Sequence, residues 1–435
     1  MISPLVLLSV VSMTQCMHVG PKAVTNQRAE RKKKDPFNLT IRDYPQYVKY
    51  MGSKSKLLPL VVQGIAAMHK PGRPICDLFA GSCSLSGAIG HAVPVISNDI
   101  QAYSGILAAA YLTAHRENST GGSPEEIVSA AEALVNERIG YLPEDLDSTR
   151  HTRTISDFNA CEDRNRQLVD ATFGYHYHLF TKYYAGTWWS AEQCLWIDAL
   201  REVAEQHRQQ PFYPVILTSL MHAMAYVSQG TGHYAQFRNA TSQSSMLDIA
   251  VYRARSLRDY FLKKYSVAFA ALPTRAPDHP HAISVLDYKE CLASIPPATV
   301  YADPPYCFVH YSRFYHALET LVLYDFPPIQ REKGKFVKGR YREYRHQSPF
   351  CIQTQVRGAF ADMFRGIQSS GSNLVLSYSN TGMIGLSELE SIASNILGKS
   401  YKIEVVDFDH IHMTMGRRND RQRNVKECLI TARKK

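Results

Sequence analysis

A rigid acidic turn is the most chemically suggestive feature of the chain. Asp303-Pro304-Pro305-Tyr306 follows a β-prone apolar run at 298–302. The prolines remove backbone donors and stiffen the turn, which holds a carbonyl in a fixed direction. The Asp303 carboxylate and the Pro304 carbonyl could accept both N–H bonds of an adenine amino group and free its lone pair, while Tyr306 stacks on the base. A base in this position must have left its duplex. The alternative is a structural proline turn with a core tyrosine.

A loop of small residues forms the second candidate site. It covers 77–87 (DLFAGSCSLSG) and follows the apolar run 74–79. Small residues allow a ligand to approach the backbone closely. Asp99 stands 18 residues beyond Gly81, after the next apolar run at 92–97, where a carboxylate commonly accepts hydrogen bonds from ribose hydroxyls. The loop lacks the full GxGxxG pattern and lacks GxxxxGK[ST], which argues against a P-loop. A plain structural turn is the alternative.

A third candidate, Lys49–Lys54 (KYMGSK), precedes the first predicted helix. Lys54 could neutralise a carboxylate, and Tyr50 could pack on a cofactor. A solvated helix start is the alternative interpretation.

The order of these segments resembles that of the Dam-type DNA adenine methylases, the D12 class of N6-adenine methyltransferases. The likeness covers roughly 44–435 and is strongest at 47–104 and 298–325. It implies S-adenosyl-L-methionine as cofactor, duplex DNA as partner, and direct methyl transfer without a metal. The implied cofactor-binding residues are Tyr50, Lys54, Asp77, Gly81, Asp99, Asp287 and Asp303, and the implied catalytic residues are Asp303, Pro304 and Tyr306. Ser82-Cys83-Ser84 departs from the family, which more often has a second glycine there.

The predicted fold class is α/β: a Rossmann-like S-adenosylmethionine-dependent methyltransferase domain interrupted by a mostly helical target-recognition insert. The first part of the chain has the order strand, glycine loop, helix, strand and acidic residue. This order is typical of the start of a doubly wound domain. The predicted regions are a disordered basic tail at 1–43, the first part of the methyltransferase domain at 44–104, the insert at 105–284 and the second part at 285–435.

Periodicity and end signals predict individual elements within these regions. Ser123-Pro124 should begin a helix that runs to about Arg138. Other predicted helices cover 57–68, 191–207, 214–227 and 386–397, and predicted strands cover 298–302, 373–378, 401–407 and 425–431.

Composition is compatible with a nucleic-acid partner. The formal charge is +10 and the pI about 9.0, and 45% of the residues are hydrophobic, enough for a sizeable core. The segment 331–346 has seven Lys or Arg against two acids, with Phe336, Tyr341 and Tyr344 interleaved, which suits phosphate contact and base stacking. The C-terminal arginines could do likewise; they are Arg417, Arg418, Arg421 and Arg423. A charged surface loop is the alternative.

Several classes of protein and site are disfavoured. The nine cysteines form no CxxC pair and no zinc-finger spacing, so free thiols in a reducing cytosol are expected. His410 and His412 resemble a metal pair only superficially. The apolar run 4–11 is too short to span a bilayer and lacks a preceding positive charge. No membrane association is therefore expected.

Three alternatives to DNA adenine methylation remain open: an RNA adenine methyltransferase, an N4-cytosine methyltransferase, and an inactive DNA-binding relative. N4-cytosine enzymes more often have Ser where this chain has Asp303. The set Lys54, Asp99 and Asp303 argues against an inactive relative. The resemblance further implies a bacterial or phage-encoded cytoplasmic protein, for which a cognate restriction endonuclease is a candidate partner. The target sequence and oligomeric state are left open.

Overall fold

A computed structural model describes residues 39–50, 57–116, 121–143, 154–230, 232–305, 308, 310–380, 382–412 and 423–435. Its central feature is a seven-stranded sheet in the order β3-β2-β1-β4-β7-β9-β8. The strands are β1 Ile75–Asp77, β2 Val95–Asn98, β3 Ala282–Ser284, β4 Thr299–Ala302, β7 Asn373–Ser379, β8 Tyr401–His412 and β9 Arg423–Lys434. A separate antiparallel pair consists of β5 Arg331–Glu332 and β6 Lys335–Phe336.

Helices connect most of these strands. Those before β3 are α1 Leu58–Met68, α2 Ser84–Ile89, α3 Ala102–Leu112, α4 Pro124–Arg138, α5 Ile155–Gln167, α6 Leu179–Tyr184, α7 Ala191–Gln206, α8 Tyr213–Val227, α9 Gln243–Arg253 and α10 Leu257–Ala270. Those after it are α11 Tyr288–Ser294, α12 Tyr311–Phe314, α13 His316–Leu323, α14 Val356–Ser370 and α15 Leu386–Leu397.

The sheet is parallel from β3 through β7 and antiparallel at β9 and β8. Every residue of β1, β2, β4 and β7 is buried, as expected for parallel strands covered on both faces. This mixed α/β architecture with a mostly parallel sheet is consistent with a methyltransferase fold.

The direction in which successive strands are added to the sheet reverses at its centre. β1 pairs with β2 on one side and with β4 on the other. The chain therefore moves outward from β1 to β3 and then crosses back to β4. In open α/β sheets, ligands bind at this reversal, outside the carboxyl ends of the strands. The fold alone thus predicts a site above the ends of β1 and β4.

The predicted α4 illustrates how local sequence signals specify an element. The helix begins and ends at the predicted residues, Pro124 and Arg138. The Ser123 side chain accepts a hydrogen bond from the Glu126 amide, and the Glu126 carboxylate accepts one from the Ser123 amide. This reciprocal cap satisfies two donors that the helix leaves unpaired.

The long connection between β2 and β3 is helical. It carries α3 to α10. One hydrophobic cluster joins α3, α4, α6, α7, α8 and α10 to one face of the sheet, and a separate small cluster joins α5 to α9. The sheet resumes at Ala282, where β3 pairs with β2. The division at 105 and 284 into a separate recognition domain stays a prediction.

The last residues of the predicted disordered tail pack against the protein. Leu39 is buried, and the Arg42 amide donates to the Ala88 carbonyl over 3.0 Å. The tail predicted for 1–43 is therefore too long at its carboxyl end, because an apolar side chain and a backbone hydrogen bond anchor it there. Residues 1–38, including the basic run 28–34, lie outside the described residues.

Membrane-spanning helices, metal sites and disulfide bonds can be examined only in the part of the chain that the structure describes. None of its helices is long and apolar enough to cross a membrane. None of its His, Cys, Asp and Glu side chains form a group suited to a metal ion. Its seven cysteines are all buried free thiols.

Candidate active site

A cavity of about 340 Å³ lies at the carboxyl ends of β1, β2 and β4, where the strand order reverses. The structure brings most of the predicted site residues to its wall: Tyr50, Asp77, Gly81, Asp99, Asp287, Asp303 and Pro304. The remaining two, Lys54 and Tyr306, lie outside the described residues. Segments far apart in sequence thus meet in one cavity.

Asp99 and the glycine loop form one hydrogen-bonded unit. One Asp99 carboxylate oxygen accepts a hydrogen bond from the Gly81 amide, and the other accepts one from the Gln101 amide, each over 2.9 Å. Burial raises the pKa of the Asp99 carboxyl, while these backbone donors oppose the rise. The unit holds a carboxylate in a fixed position at the cavity wall.

The conformation of the glycine loop explains its composition. Gly81 has φ +51°, and a Cβ added there would lie 3.0 Å from the Tyr50 hydroxyl oxygen. Cys83 also has a positive φ of 56°, at the start of α2. Its thiol lies 3.2 Å from the Ser104 carbonyl oxygen, to which it donates. Cys83 therefore takes a left-handed conformation that glycine adopts more readily, and its buried side chain fills space between α2 and α3.

Four carboxylates of the described residues line the cavity: Asp287 and three that stand at the carboxyl ends of strands. Asp77 ends β1, Asp303 follows β4, and Asp99 follows β2. Burial raises the pKa of Asp77 well above its ordinary value, and the negative charges of Asp303 and Asp99 add to the effect. Asp77 Oδ1 is buried, with no hydrogen-bond donor among the described residues. Such a site favours a ligand that carries positive charge and N–H or O–H donors.

Tyr50 is held by aromatic neighbours that sequence reasoning missed. Its ring stacks on Tyr315 at a centroid distance of 4.6 Å and on Tyr311 at 5.7 Å. Both partners come from the region just after Asp303 and Pro304, so the first and last parts of the candidate site meet through tyrosine rings. The resemblance covered 298–325, but only the fold reveals that these residues contact Tyr50.

Asn98 was also missed as a site residue. Its side-chain amide donates to the Leu78 and Leu286 carbonyls, and its carbonyl oxygen accepts from the Ser284 hydroxyl and the Leu286 amide. These bonds join the ends of β1 and β3 across β2. A polar residue at the end of a buried strand was the sequence signal that could have identified Asn98.

Nearby, the Asp287 carboxylate accepts a hydrogen bond from the Lys289 amide and caps α11.

The basic segment 331–346 contains buried as well as exposed side chains. The prediction that Tyr341 is available for base stacking is wrong: the ring is buried, and its hydroxyl donates to the Ala235 carbonyl. Tyr344 is 78% exposed, and Phe336 is half-buried beneath the Arg331 guanidinium. Arg342 forms an ion pair with Asp325. The segment thus combines a packed scaffold with an exposed basic edge.

The C-terminal arginines and the two histidines lie at or beyond the limits of the described residues. Arg417, Arg418 and Arg421 lie outside the described residues. Arg423 begins β9, and His410 and His412 end β8, but their side chains are likewise outside the description. Their proposed roles stay predictions.

Comparison with known proteins supports the resemblance. The chain is 25% identical over 359 residues to Modification methylase LlaI of Lactococcus lactis subsp. lactis, covering 80% of this chain and 48% of that protein. It is 23% identical to Modification methylase StsI of Streptococcus sanguinis, covering 79% and 46% respectively. It is 24% identical to Type II methyltransferase M.NlaIII of Neisseria lactamica, covering 79% and 87%. The chain thus spans about half the length of the first two relatives and most of the third.

A family match covers the amino-terminal part of the site. Residues 50–187 match the family described as D12 class N6 adenine-specific DNA methyltransferase. The match contains Tyr50, Asp77, Gly81 and Asp99 and ends well before Asp303. Over residues 50–187 the chain is therefore similar to the D12 class N6 adenine-specific DNA methyltransferases.

Proposed function

We propose that the protein transfers a methyl group from S-adenosylmethionine to the N6 of adenine at a specific site in duplex DNA. The observation that carries this proposal is the shared cavity, in which Asp303 and Pro304 lie beside the Asp99–Gly81 unit. The relatives' names, which include modification methylase and Type II methyltransferase, support the same class of reaction.

The cavity suits the proposed cofactor. Asp99, held by two backbone donors, accepts hydrogen bonds from ribose hydroxyls, and the Gly81 backbone allows close approach. Asp77 offers a buried acceptor in a negatively charged wall that matches a cation. The proposed cofactor site is completed by Tyr50, Lys54 and Asp287. When bound, S-adenosylmethionine supplies an electrophilic methyl group on a positively charged sulfur.

The residues of the catalytic turn act on the amino group of an extruded adenine. The Asp303 carboxylate and the Pro304 carbonyl accept its two N–H bonds, which draws the nitrogen lone pair out of conjugation with the ring. Tyr306 stacks on the base. Much of the rate comes from holding the two reactants aligned, because positioning replaces a bimolecular encounter.

The same proposal assigns roles outside the cavity. Helices α4 to α10 recognise the target sequence, since they lie in the long connection between β2 and β3. A cognate restriction endonuclease is the proposed functional partner. A bacterial or phage-encoded protein acting on DNA would work in the cytoplasm.

Methyl transfer with isotopically labelled S-adenosylmethionine tests the function. Duplex DNA and RNA are offered separately, and the products are digested to nucleosides. N6-methyladenine from duplex DNA is the expected product; N4-methylcytosine or methylated RNA would replace the proposal with the corresponding alternative. No detectable cofactor binding by calorimetry would indicate an inactive DNA-binding relative.

Asp303→Ala tests the catalytic assignment in the same assay. It should abolish methylation while the circular dichroism spectrum is retained, because one of the two acceptors is lost. Asp278→Ala is the matched control, since this exposed loop residue lies away from the cavity wall. Full activity of Asp303→Ala would reject the assignment.

A further inference from the structure

A second, smaller cavity of about 190 Å³ adjoins the proposed active site. Four residues line both cavities: His310, Ser312, His346 and Gln347. Every described residue on the wall of the smaller cavity is polar, whereas the main cavity also has apolar and aromatic lining. The two spaces therefore suit two chemically different parts of one ligand.

Two arginines on the wall of the smaller cavity are held by Tyr341. The Arg313 and Arg345 guanidinium carbons lie 4.9 and 5.1 Å from the Tyr341 ring centroid. Arg313 Nε also donates to the Tyr341 hydroxyl oxygen over 2.7 Å, and Arg345 Nη1 donates to the Gln330 side-chain oxygen over 2.9 Å. The buried tyrosine thus fixes two cationic side chains before any ligand arrives.

The two arginines differ from their neighbour Arg342 in their ion pairing. Within the part of the chain that the structure describes, neither forms an ion pair, whereas the neighbouring Arg342 pairs with Asp325. Glu343 lines the same cavity, but its side chain is exposed. Burial and the charge of Arg313 lower the pKa of Arg345, and burial followed by the charges of both arginines lowers that of His310. An anion in this space would relieve this repulsion.

We propose that the smaller cavity binds a backbone phosphate next to the extruded adenine. The inference rests on the proposed function, because an extruded base in the main cavity remains attached to its phosphodiester. The position of the smaller cavity, beside the catalytic turn and continuous with the main one, matches that attachment. Arginine suits this role because its planar guanidinium donates to two phosphate oxygens at once.

Duplexes in which one phosphate is replaced by an uncharged analogue test this inference. The target adenine is first located by mapping methylated bases. Duplexes are made with one methylphosphonate at each phosphate flanking that adenine. One substitution should lower wild-type kcat/KM by about ten- to a hundredfold, the effect of a lost hydrogen bond to a charged group. In Arg345→Gln the same substitution should cost less than in the wild type, because the phosphate has already lost one of its two arginine partners.

Three further measurements make the test specific. In Arg345→Gln, the dependence of log DNA affinity on log salt should decrease by about one unit of slope. Arg345→Lys should keep most of that slope, because it keeps the charge. Arg365→Gln is the control: it removes an exposed arginine on α14 that pairs with Asp362, and should leave the slope and the methylphosphonate penalty unchanged.

Equal methylphosphonate penalties in wild type and Arg345→Gln, or no penalty at any flanking phosphate, would overturn the inference. Weaker S-adenosylmethionine binding by Arg345→Gln would also overturn it, since the cavity would then hold the cofactor's carboxylate. The wild-type product on an unmodified duplex is a separate result: N6-methyladenine upholds the proposed function even when the phosphate inference fails.

Discussion

The Gly81 amide donates a hydrogen bond to the Asp99 carboxylate over 2.9 Å. This bond joins the loop after β1 to the loop after β2, and the Gln101 amide holds the other carboxylate oxygen. Both loops are thereby fixed around a single acidic group. Disturbing either loop should consequently affect the proposed cofactor site before it affects the rest of the fold.

Gly81→Ala should weaken S-adenosylmethionine binding at least tenfold. The new Cβ would lie 3.0 Å from the Tyr50 hydroxyl oxygen, and the backbone has φ +51°, which costs a non-glycine residue about 1–2 kcal/mol. Calorimetric titration of the purified variant with S-adenosylmethionine measures the change.

Gly72→Ala separates backbone strain from the local contact. Gly72 also has a positive φ, +81°, but a Cβ there meets nothing within 4 Å. Both variants should lose a similar amount of thermal stability from strain, and only Gly81→Ala should lose affinity. Equal affinities in the two variants would show that contact with Tyr50 is irrelevant to binding.

S-adenosylmethionine affinity should rise with pH above the ordinary range of an aspartate. Burial and the charges of Asp303 and Asp99 raise the pKa of Asp77 in the free protein. A cationic ligand favours the ionised carboxylate, so binding lowers this pKa and releases a proton. Calorimetry in two buffers of different ionisation enthalpy measures that release, which Asp77→Asn should abolish and Asp278→Asn should not.

Asp77 gives the stability of the free protein the opposite dependence on pH. A pKa raised on folding means that the folded state binds the proton more tightly than the unfolded state. The contribution of Asp77 to stability is therefore complete below its unfolded pKa and is lost as the pH rises through the folded value. Affinity that falls with rising pH over this interval would contradict the assignment of Asp77 to a cationic ligand.

Glu319→Ala should destabilise the protein by about 1–3 kcal/mol, the cost of leaving buried donors unpaired. The partly buried Glu319 carboxylate accepts hydrogen bonds from the Ala102 and Tyr103 amides, at the first turn of α3. Gln101 provides no side-chain cap there, so the cap comes from α13. Urea unfolding measures the loss. Glu390→Ala, an exposed change on α15, should cost little, and equal losses would reject the capping role.

Local signals predicted the elements whose ends are determined nearby. α4 begins and ends as predicted because Ser123 and Glu126 cap it through bonds three residues apart. β3 behaves differently: Ala282–Ser284 has no apolar run and is partly exposed, and its strand conformation comes from pairing with β2. A strand specified by a distant partner leaves little trace in its own sequence.

The site residues also divide into those that local sequence identifies and those that depend on distant partners. Asp99 and Asp303 could be selected because each follows a recognisable apolar strand. The burial of Tyr341 could not be predicted, because its hydrogen-bond partners, Ala235 and Arg313, come from other segments. A basic aromatic segment has the same composition whether its tyrosines face solvent or support arginines, and only the packing distinguishes the two cases.

The long connection between β2 and β3 has a consequence for synthesis of the nascent chain. Asn98 reaches its partner Leu286 across 188 residues. At translation rates of about 5–20 residues per second, this interval lasts roughly 10–40 seconds. Throughout it, the edge of β2 that will pair with β3 is available to other extended chains. Helices α4 to α10 are synthesised during this interval, before the residues of β3, β4 and β7 that complete the parallel part of the sheet.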